Sequence, residues 1–453
     1  MSALQPDRPK VAIIGSGISG LSAAWLLQQT CDVTVFEKAA RIGGHSHTVD
    51  VAHNDGKTPV DMGFIVYNEF TYPNLVALFD YLGVATQSTD MSFGVSLDDG
   101  RLEYAGGYLN QLVAQKRNIA RPRFWAMAWD LVRFYRNAAA DLNELERNEM
   151  TLGAYLDYRG YGQAFRQDHL LPMAAAIWSM PASAVLAYPA HAFIRFYENH
   201  GLLKLTDRPL WRTVVGGSRE YVKKLTAPFA DKIQTGAGIV SVERRPDGVY
   251  LRTRGGDRLR FHQVVIATHA DQALAMLEEP TFEERAALGA IQYTTNEVVL
   301  HSDDSFMPKR RRAWASWNYI GSSDIGSASN LTVTYWMNLL QSLPEHLQLF
   351  VTLNPAQTIA PDKVHQRLQF EHPLFDAAAM RAQKHLWSLQ GRDRVWYCGA
   401  HFGAGFHEDG LQSGLAVAEA IGGKKRPWKV ANQSGRIYIQ ETECETIREG
   451  VAA

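Results

Sequence analysis

The chain is poor in the features that mark several large classes of protein. It has three cysteines, Cys31, Cys398 and Cys444, at no metal-ligand spacing. That is too few for a disulfide framework and predicts a reduced, cytoplasmic setting with no metal centre. No apolar run reaches the ~18 to 20 residues that span a bilayer, and the opening MSALQPDRPK lacks the apolar core of a signal peptide. A soluble protein is expected, with peripheral membrane contact left open. Charge of one sign is not in excess, with 46 Lys and Arg against 47 Asp and Glu, so nothing suggests a nucleic-acid partner. Internal repeats and low-complexity segments are absent. Hydrophobic residues make up 46% of a 453-residue chain, enough for two or three domains with cores of their own.

What is present begins at residue 11. Val11 to Ile14 are four apolar residues, as expected of a parallel strand buried on both faces. Gly15, Gly17 and Gly20 follow as G-x-G-x-x-G. The first allows a tight turn, the second lets backbone approach a pyrophosphate, and the third lets a helix over 18–29 pack on its strand. The helix start, with Ser19 in its first turn, presents unpaired N–H groups to the pyrophosphate. A second strand, Val33 to Phe36, ends in Glu37, placed for the hydroxyls of an adenosine ribose, with Lys38 beside it. An acid here favours FAD or NAD over NADP.

The continuation Arg41-Ile42-Gly43-Gly44 decides for FAD. The pattern E-x-x-x-R-x-G-G resembles the flavin-containing amine oxidase superfamily. The resemblance implies that Glu37 holds the ribose, Arg41 sits on the pyrophosphate, and Gly43-Gly44 lets the chain pass close to the flavin, with His45 next to it. A guanidinium suits a diphosphate, and paired glycines permit close approach.

Later segments extend the resemblance. Asp61-Met62-Gly63-Phe64 is similar to the D-x-G segment that runs toward the isoalloxazine, which implies Gly63 and Phe64 as cofactor neighbours. Ile239 corresponds to the strand that meets the adenine edge, and VVIAT, ending at Thr268, to the strand beneath the nucleotide. The run from Val395 to Ile421 resembles the C-terminal flavin motif: strand to Cys398-Gly399, glycine-rich loop to Gly410, helix from Leu411. Backbone N–H groups at such a helix start stabilise negative charge on a reduced flavin. Ala400 stands where relatives have an acid, which leaves that role vacant or moved to Glu408 or Asp409.

The expected architecture is α/β: a discontinuous Rossmann-type FAD domain (1–70, 212–275 and 390–430) with a parallel sheet and a β-hairpin layer. A helical cap covers 71–211, a mixed-sheet substrate domain covers 276–389, and a tail covers 431–453. Within the cap, Lys116, Arg117, Arg121, Arg123, Trp125, Trp129, Arg133 and Arg136 mix basic and tryptophan residues on one helical stretch. Such a face suits either an anionic lipid surface or, the preferred expectation, solvent with the tryptophans buried. Lys309 to Arg312, beside Trp314 and Trp317, raises the same alternative.

FAD implies hydride or electron transfer. With no Cys-x-x-Cys pair and no second dinucleotide fingerprint, substrate oxidation is expected. GGHSHTV (43–49), DMGFIVYN (61–68) and AHFGAGFHEDGLQSG (400–414) together resemble bacterial NAD/FAD-binding proteins related to the N-terminal flavoprotein domain of plant cyclopropane fatty acid synthases. This resemblance implies a desaturase or other oxidoreductase on unsaturated, methylated or cyclopropanated fatty-acyl lipid; a methyltransferase acting on the same lipid is left open as a partner. An amine oxidase and a non-catalytic flavoprotein stay open. His45 and His47 are candidates for moving a proton, with Tyr335 and Trp336 as pocket walls.

Overall fold

The computed structural model describes residues 8–106, 114–148, 150–178, 182–199, 201–204, 209–322 and 332–439. The apolar strand Lys10–Ile14 pairs in parallel with Asp32–Phe36 on one side and Gln263–Ile266 on the other. Ile233–Gln234 and Val395–Tyr397 extend the sheet to five parallel strands. Successive side chains of a strand point to opposite faces, and both faces are covered. Val11 and Ile13 pack in the core that holds helix Ile18–Leu27, whereas Ala12 and Ile14 pack in the core of an antiparallel layer, Ile239–Arg245, Gly248–Thr253 and Arg258–Phe261.

All ten residues of helix Ile18–Leu27 are buried, because helix His407–Gly422 lies on its outer side. Small residues allow this approach. A Cβ on Gly414 would lie 2.2 Å from the Ser19 carbonyl, and one on Gly20 would lie 2.1 Å from the Gly15 carbonyl. The C-terminal helix begins at His407 rather than Leu411, since the Asp409 carboxylate accepts the Phe406 N–H and starts the first turn early.

A second, mixed sheet has seven strands in the order Val364–Leu374, Gln292–His301, Phe350–Leu353, Thr332–Trp336, Trp317–Gly321, Phe93–Leu97, Leu102–Gly106. Only Trp317–Gly321 and Phe93–Leu97 pair in parallel. The hairpin 93–106 therefore joins this sheet, although a boundary at 71 would put it in the helical cap. Helix Ala377–Leu386 also departs from a boundary at 389, packing with Val264, Ile266 and Val395 beside the parallel sheet.

The helical segment has its own core of Phe134, Tyr155, Phe165, Phe193 and Tyr197. Trp125 and Trp129 are not part of any core: they are 52% and 71% exposed, which corrects the expectation of buried tryptophans. The side chain of Trp178, Cys444 and the tail beyond 439 lie outside the described residues. Cys31 and Cys398 are buried free thiols. Among the described residues no helix is long and apolar enough to cross a membrane.

Candidate functional site

The glycine fingerprint folds as its sterics require. Gly15 has φ +107°, and a Cβ there would sit 2.6 Å from the Ala267 carbonyl oxygen. Gly17, at the N-cap of helix Ile18–Leu27, has nothing within 4 Å of the same position. That open space lies at the positive end of the helix, where a diphosphate is favoured. Gly44, at φ +58°, brings the second glycine turn against it, its Cβ position 3.0 Å from Gly17 Cα.

These loops border one cavity of about 1090 Å³, above the usual ~300 to 1,000 Å³ of a small-ligand pocket. At one end its wall includes Gly15, Gly17, Ser19, Glu37, Lys38 and Arg41 together with Ile239 and Thr268. Among the described residues no acid is within ion-pair distance of Lys38 or Arg41, and burial lowers the Arg41 pKa. Glu37 accepts from the Ser16 N–H (3.0 Å) and hydroxyl (2.6 Å) through one oxygen and from the Ala39 N–H (2.8 Å) through the other. A carboxylate accepts about four hydrogen bonds, so Glu37 orders the glycine loop and keeps capacity toward the cavity.

Further along, the wall is made by Gly44, His45, Gly63, Phe64, Gly399 and Ala400. The Phe64 N–H donates to the His45 carbonyl (2.8 Å), and a Cβ on Gly63 would strike that carbonyl at 2.1 Å. Five histidines reach this wall: His45, His269, His372, His401 and His407. Burial depresses all of them. His372 is pushed down to about 4, His401 and His407 to about 3, and His45 falls well below its usual range. They are neutral imidazoles at pH 7, able to donate or accept but not to carry charge. His407 stacks on Phe64 at 3.7 Å and meets Ser46 Oγ and the Tyr221 hydroxyl through Nε2. His269 lies flat on Tyr293 at 4.4 Å and pairs with Glu371 at 3.1 Å.

Several expected positions lie elsewhere. His47, Gly20, Gly43, Gly410, Leu411 and Trp336 are not on the cavity wall. His47 points edge-on toward Phe370 at 6.4 Å, outside the cavity. A Cβ on Gly43 would meet the Ser46 carbonyl at 2.8 Å, so its role is the turn itself. Gly410 and Leu411 fall inside the helix, one against Ser19 Oγ and the other in the core. Trp336 follows Tyr335 along a strand and so points to the opposite face, where it packs on Trp314 under Arg311. The acid missing at Ala400 has not moved to Glu408 or Asp409. Both are fully buried and committed, Glu408 to Asn74, Leu75 and Gln412, Asp409 to Arg436 and Phe406. His269, His372, Tyr293 and Glu371 had no motif to announce them; they reach the wall through strand pairing and packing.

The far end of the cavity is apolar, with Met91, Phe93, Met173, Ile177, Trp317 and Tyr335 on its wall. Tyr335 meets Trp317 edge-to-face at 4.8 Å, and burial raises its hydroxyl pKa. Phe196 and Phe406 stack directly at 5.2 Å.

The residues fit a flavin dinucleotide. There is open space above Gly17, two cations face the cavity with no ion-pair partner among the described residues, and the buried Nε2 atoms of His45 and His401 have no hydrogen-bond partner among them. A parallel nucleotide sheet joined to a mixed sheet across one such cavity defines a two-part flavoprotein fold. Residues 18–422 match the family described as flavin containing amine oxidoreductase, and the chain belongs to that family, whose cofactor is a flavin, usually FAD. It is 23% identical over 271 residues to amine oxidase [flavin-containing] A of Canis lupus familiaris, covering 57% of this chain and 49% of the relative. The Bos taurus counterpart is 22% identical with the same coverage. The chain thus spans about half the length of the curated relatives it matches. Among solved structures, putrescine oxidase bound to putrescine has a TM-score of 0.64 at 13% identity, covering 92% of this chain and 99% of that one. Cyclohexylamine oxidase from Brevibacterium oxydans gives 0.64 at 18% identity, covering 92% and 99%. The CLA-producing fatty acid isomerase from P. acnes gives 0.62 at 16% identity, covering 91% and 98%.

Proposed function

We propose that the chain is an FAD-dependent oxidoreductase acting on an acyl chain of the unsaturated, methylated or cyclopropanated kind. The observation that carries the reading is the continuity of one cavity from the glycine loops to an apolar chamber with no acid on its wall. Among the described residues the only acids on the cavity wall are Glu37, at the nucleotide end, and Glu371, tied to His269. A cationic amine has no carboxylate to meet in the chamber, and burying an unpaired ammonium is costly. Nor is there a slot between two facing tyrosines among the described residues: Trp317 and Tyr335 are perpendicular, and Phe196 and Phe406 are already in contact. A fatty acid isomerase shares the fold, so an acyl substrate is within its range.

FAD, when bound, supplies two-electron oxidation. The protein contributes position and dryness. Lys38, Arg41 and the helix start at Gly17 hold the diphosphate. Gly44, Gly63 and Gly399 let the wall segments pack closely on Gly17, the His45 carbonyl and the His401 ring, where a Cβ would collide. Met91, Phe93, Met173 and Ile177 exclude water from an extended chain, and the neutral imidazoles of His45 and His401, each with an unpartnered Nε2 among the described residues, are the candidates to accept or donate a proton. Anaerobic mixing of the yellow protein with phospholipid extracts or with amines tests the reading. Bleaching of the flavin band by lipid is expected; bleaching by amines with no response to lipid overturns it.

A further inference from the structure

Two basic segments far apart in sequence converge on one hairpin tip. The Gly100 carbonyl, between strands Phe93–Leu97 and Leu102–Gly106, accepts from Gln115 Nε2, Arg117 Nη2 and Arg310 Nη1. The Arg101 carbonyl accepts from Arg117 and Arg121. The local acids Asp98, Asp99 and Glu103 are each already paired, with Arg101, Lys309 and Arg310. Lys116, Arg117, Arg121, Arg311 and Arg312 have no acid within ion-pair distance among the described residues, so the surface carries a net positive charge on a chain whose overall charge is -1.

Beside it lies an apolar ridge. Trp125 and Trp129 stand one turn apart on helix Pro122–Asn137, 52% and 71% exposed, and Ile119 is 51% exposed. The Trp125 indole N–H donates to the Ile119 carbonyl at 2.8 Å, which links the ridge to the basic segment. The inner side of the same helix packs Phe124 and Met127 into the core that contains Ala176, a residue of the cavity wall.

We propose that this surface docks on an anionic phospholipid bilayer, with Trp125, Trp129 and Ile119 seated among the headgroups and the cations on their phosphates. Exposed indoles flanked by arginines match the polarity gradient of that interface. The alternatives fit less well. An aliphatic Ile119 offers nothing for a base to stack on, and a second copy of the chain would bring like charges together. The inference stands apart from the reading of the reaction, because binding to vesicles requires no turnover.

The test is co-sedimentation of the FAD-loaded chain with vesicles of phosphatidylcholine alone or with added phosphatidylglycerol. Binding to the anionic vesicles that weakens with salt is expected. Arg117→Gln with Arg121→Gln removes two charges and should lower the partition coefficient roughly 30-fold, at ~1 kcal/mol per basic residue. Those arginines also hold the hairpin tip, so Trp129→Ala serves as a second variant; its ring has no aromatic contact among the described residues. It should weaken binding several-fold with flavin content unchanged. Equal affinity for neutral and anionic vesicles, no binding to either, full binding by Trp129→Ala, or tighter binding to an RNA or DNA duplex at the same salt would each overturn the proposal.

Discussion

The His45 imidazole lies on the Phe370 ring at 4.7 Å and 28°. One residue comes from the first dinucleotide unit and the other from the eleven-residue strand Val364–Leu374 of the mixed sheet, so this stack joins the two sheets at the cavity. His372, two residues on and hence on the same strand face, stands 5.5 Å from the same imidazole. Both rings are held neutral by burial.

The glycine loop separates folding from cofactor binding. Gly15→Ala forces a side chain onto φ +107° and into the Ala267 carbonyl, and should cost several kcal/mol and yield little soluble protein. Gly17→Ala meets nothing within 4 Å among the described residues. It should fold with an unchanged melting temperature yet purify with at least about tenfold less flavin, the methyl group occupying diphosphate space. Equal flavin content in Gly17→Ala and the parent would contradict the placement.

Arg41→Gln breaks no ion pair among the described residues, where its one hydrogen bond is to the neighbouring Ile42 carbonyl at 3.4 Å. Stability without flavin should be unchanged, while flavin affinity falls by roughly 1.5 to 3 kcal/mol, the usual worth of a hydrogen bond to a charged group. Titration of the flavin-free protein with FAD measures it.

Glu408 is a structural anchor rather than a cofactor ligand. Its carboxylate accepts from the Asn74 and Leu75 N–H groups at 3.1 and 2.9 Å, at the start of helix Pro73–Leu82. Glu408→Ala leaves those donors buried and unpaired and should destabilise by roughly 3 kcal/mol or more. Whatever fraction folds should bind FAD with parental affinity, a result that a direct role in binding could not produce.

Acidification should weaken the fold below about pH 6.5. His372, His401 and His407 titrate at about 4, 3 and 3 when folded and near 6.5 when unfolded. As pH falls through 6.5 the unfolded chain takes up protons that the folded chain refuses, and each site removes up to about 1.4 kcal/mol per pH unit. Asp61, raised to about 6 by burial, and Glu408 and Asp409, also raised by burial, act in the opposite sense, but burial lowers His45, His47 and His301 as well, so the histidines outnumber them. Denaturant titrations at pH 7.5, 6.5 and 5.5 should show the decline; a flat or rising profile contradicts it.

Tyr335 and Trp336 are neighbours with different prospects. Trp336→Leu should leave the rate of flavin reduction by a reacting lipid unchanged, because its ring packs with Trp314 and Arg311 away from the cavity. Tyr335→Ala opens the chamber wall and should change the preference among acyl chains, measured as relative reduction rates.

The nucleotide half could be read from the chain alone because its signals are local. Strand, glycine turn, helix and acid fall within residues 10–37, and steric rules act over a few bonds. The fold class, the flavin and the family follow from that stretch and from the loop before helix His407–Gly422. The strand Val364–Leu374 gave no such signal: VHQRLQFEHPL is half polar, and it becomes a strand by pairing along Gln292–His301. With it come Phe370, Glu371 and His372, which no motif marked. The same holds for the hairpin 93–106, drawn into the mixed sheet by a parallel partner beyond residue 316, and for the exposure of Trp129. Local sequence determined where a dinucleotide would lie. Which histidines face it, which tryptophans meet solvent and what lines the chamber were decided by contacts between distant segments, whose energies depend on burial that only the assembled fold creates.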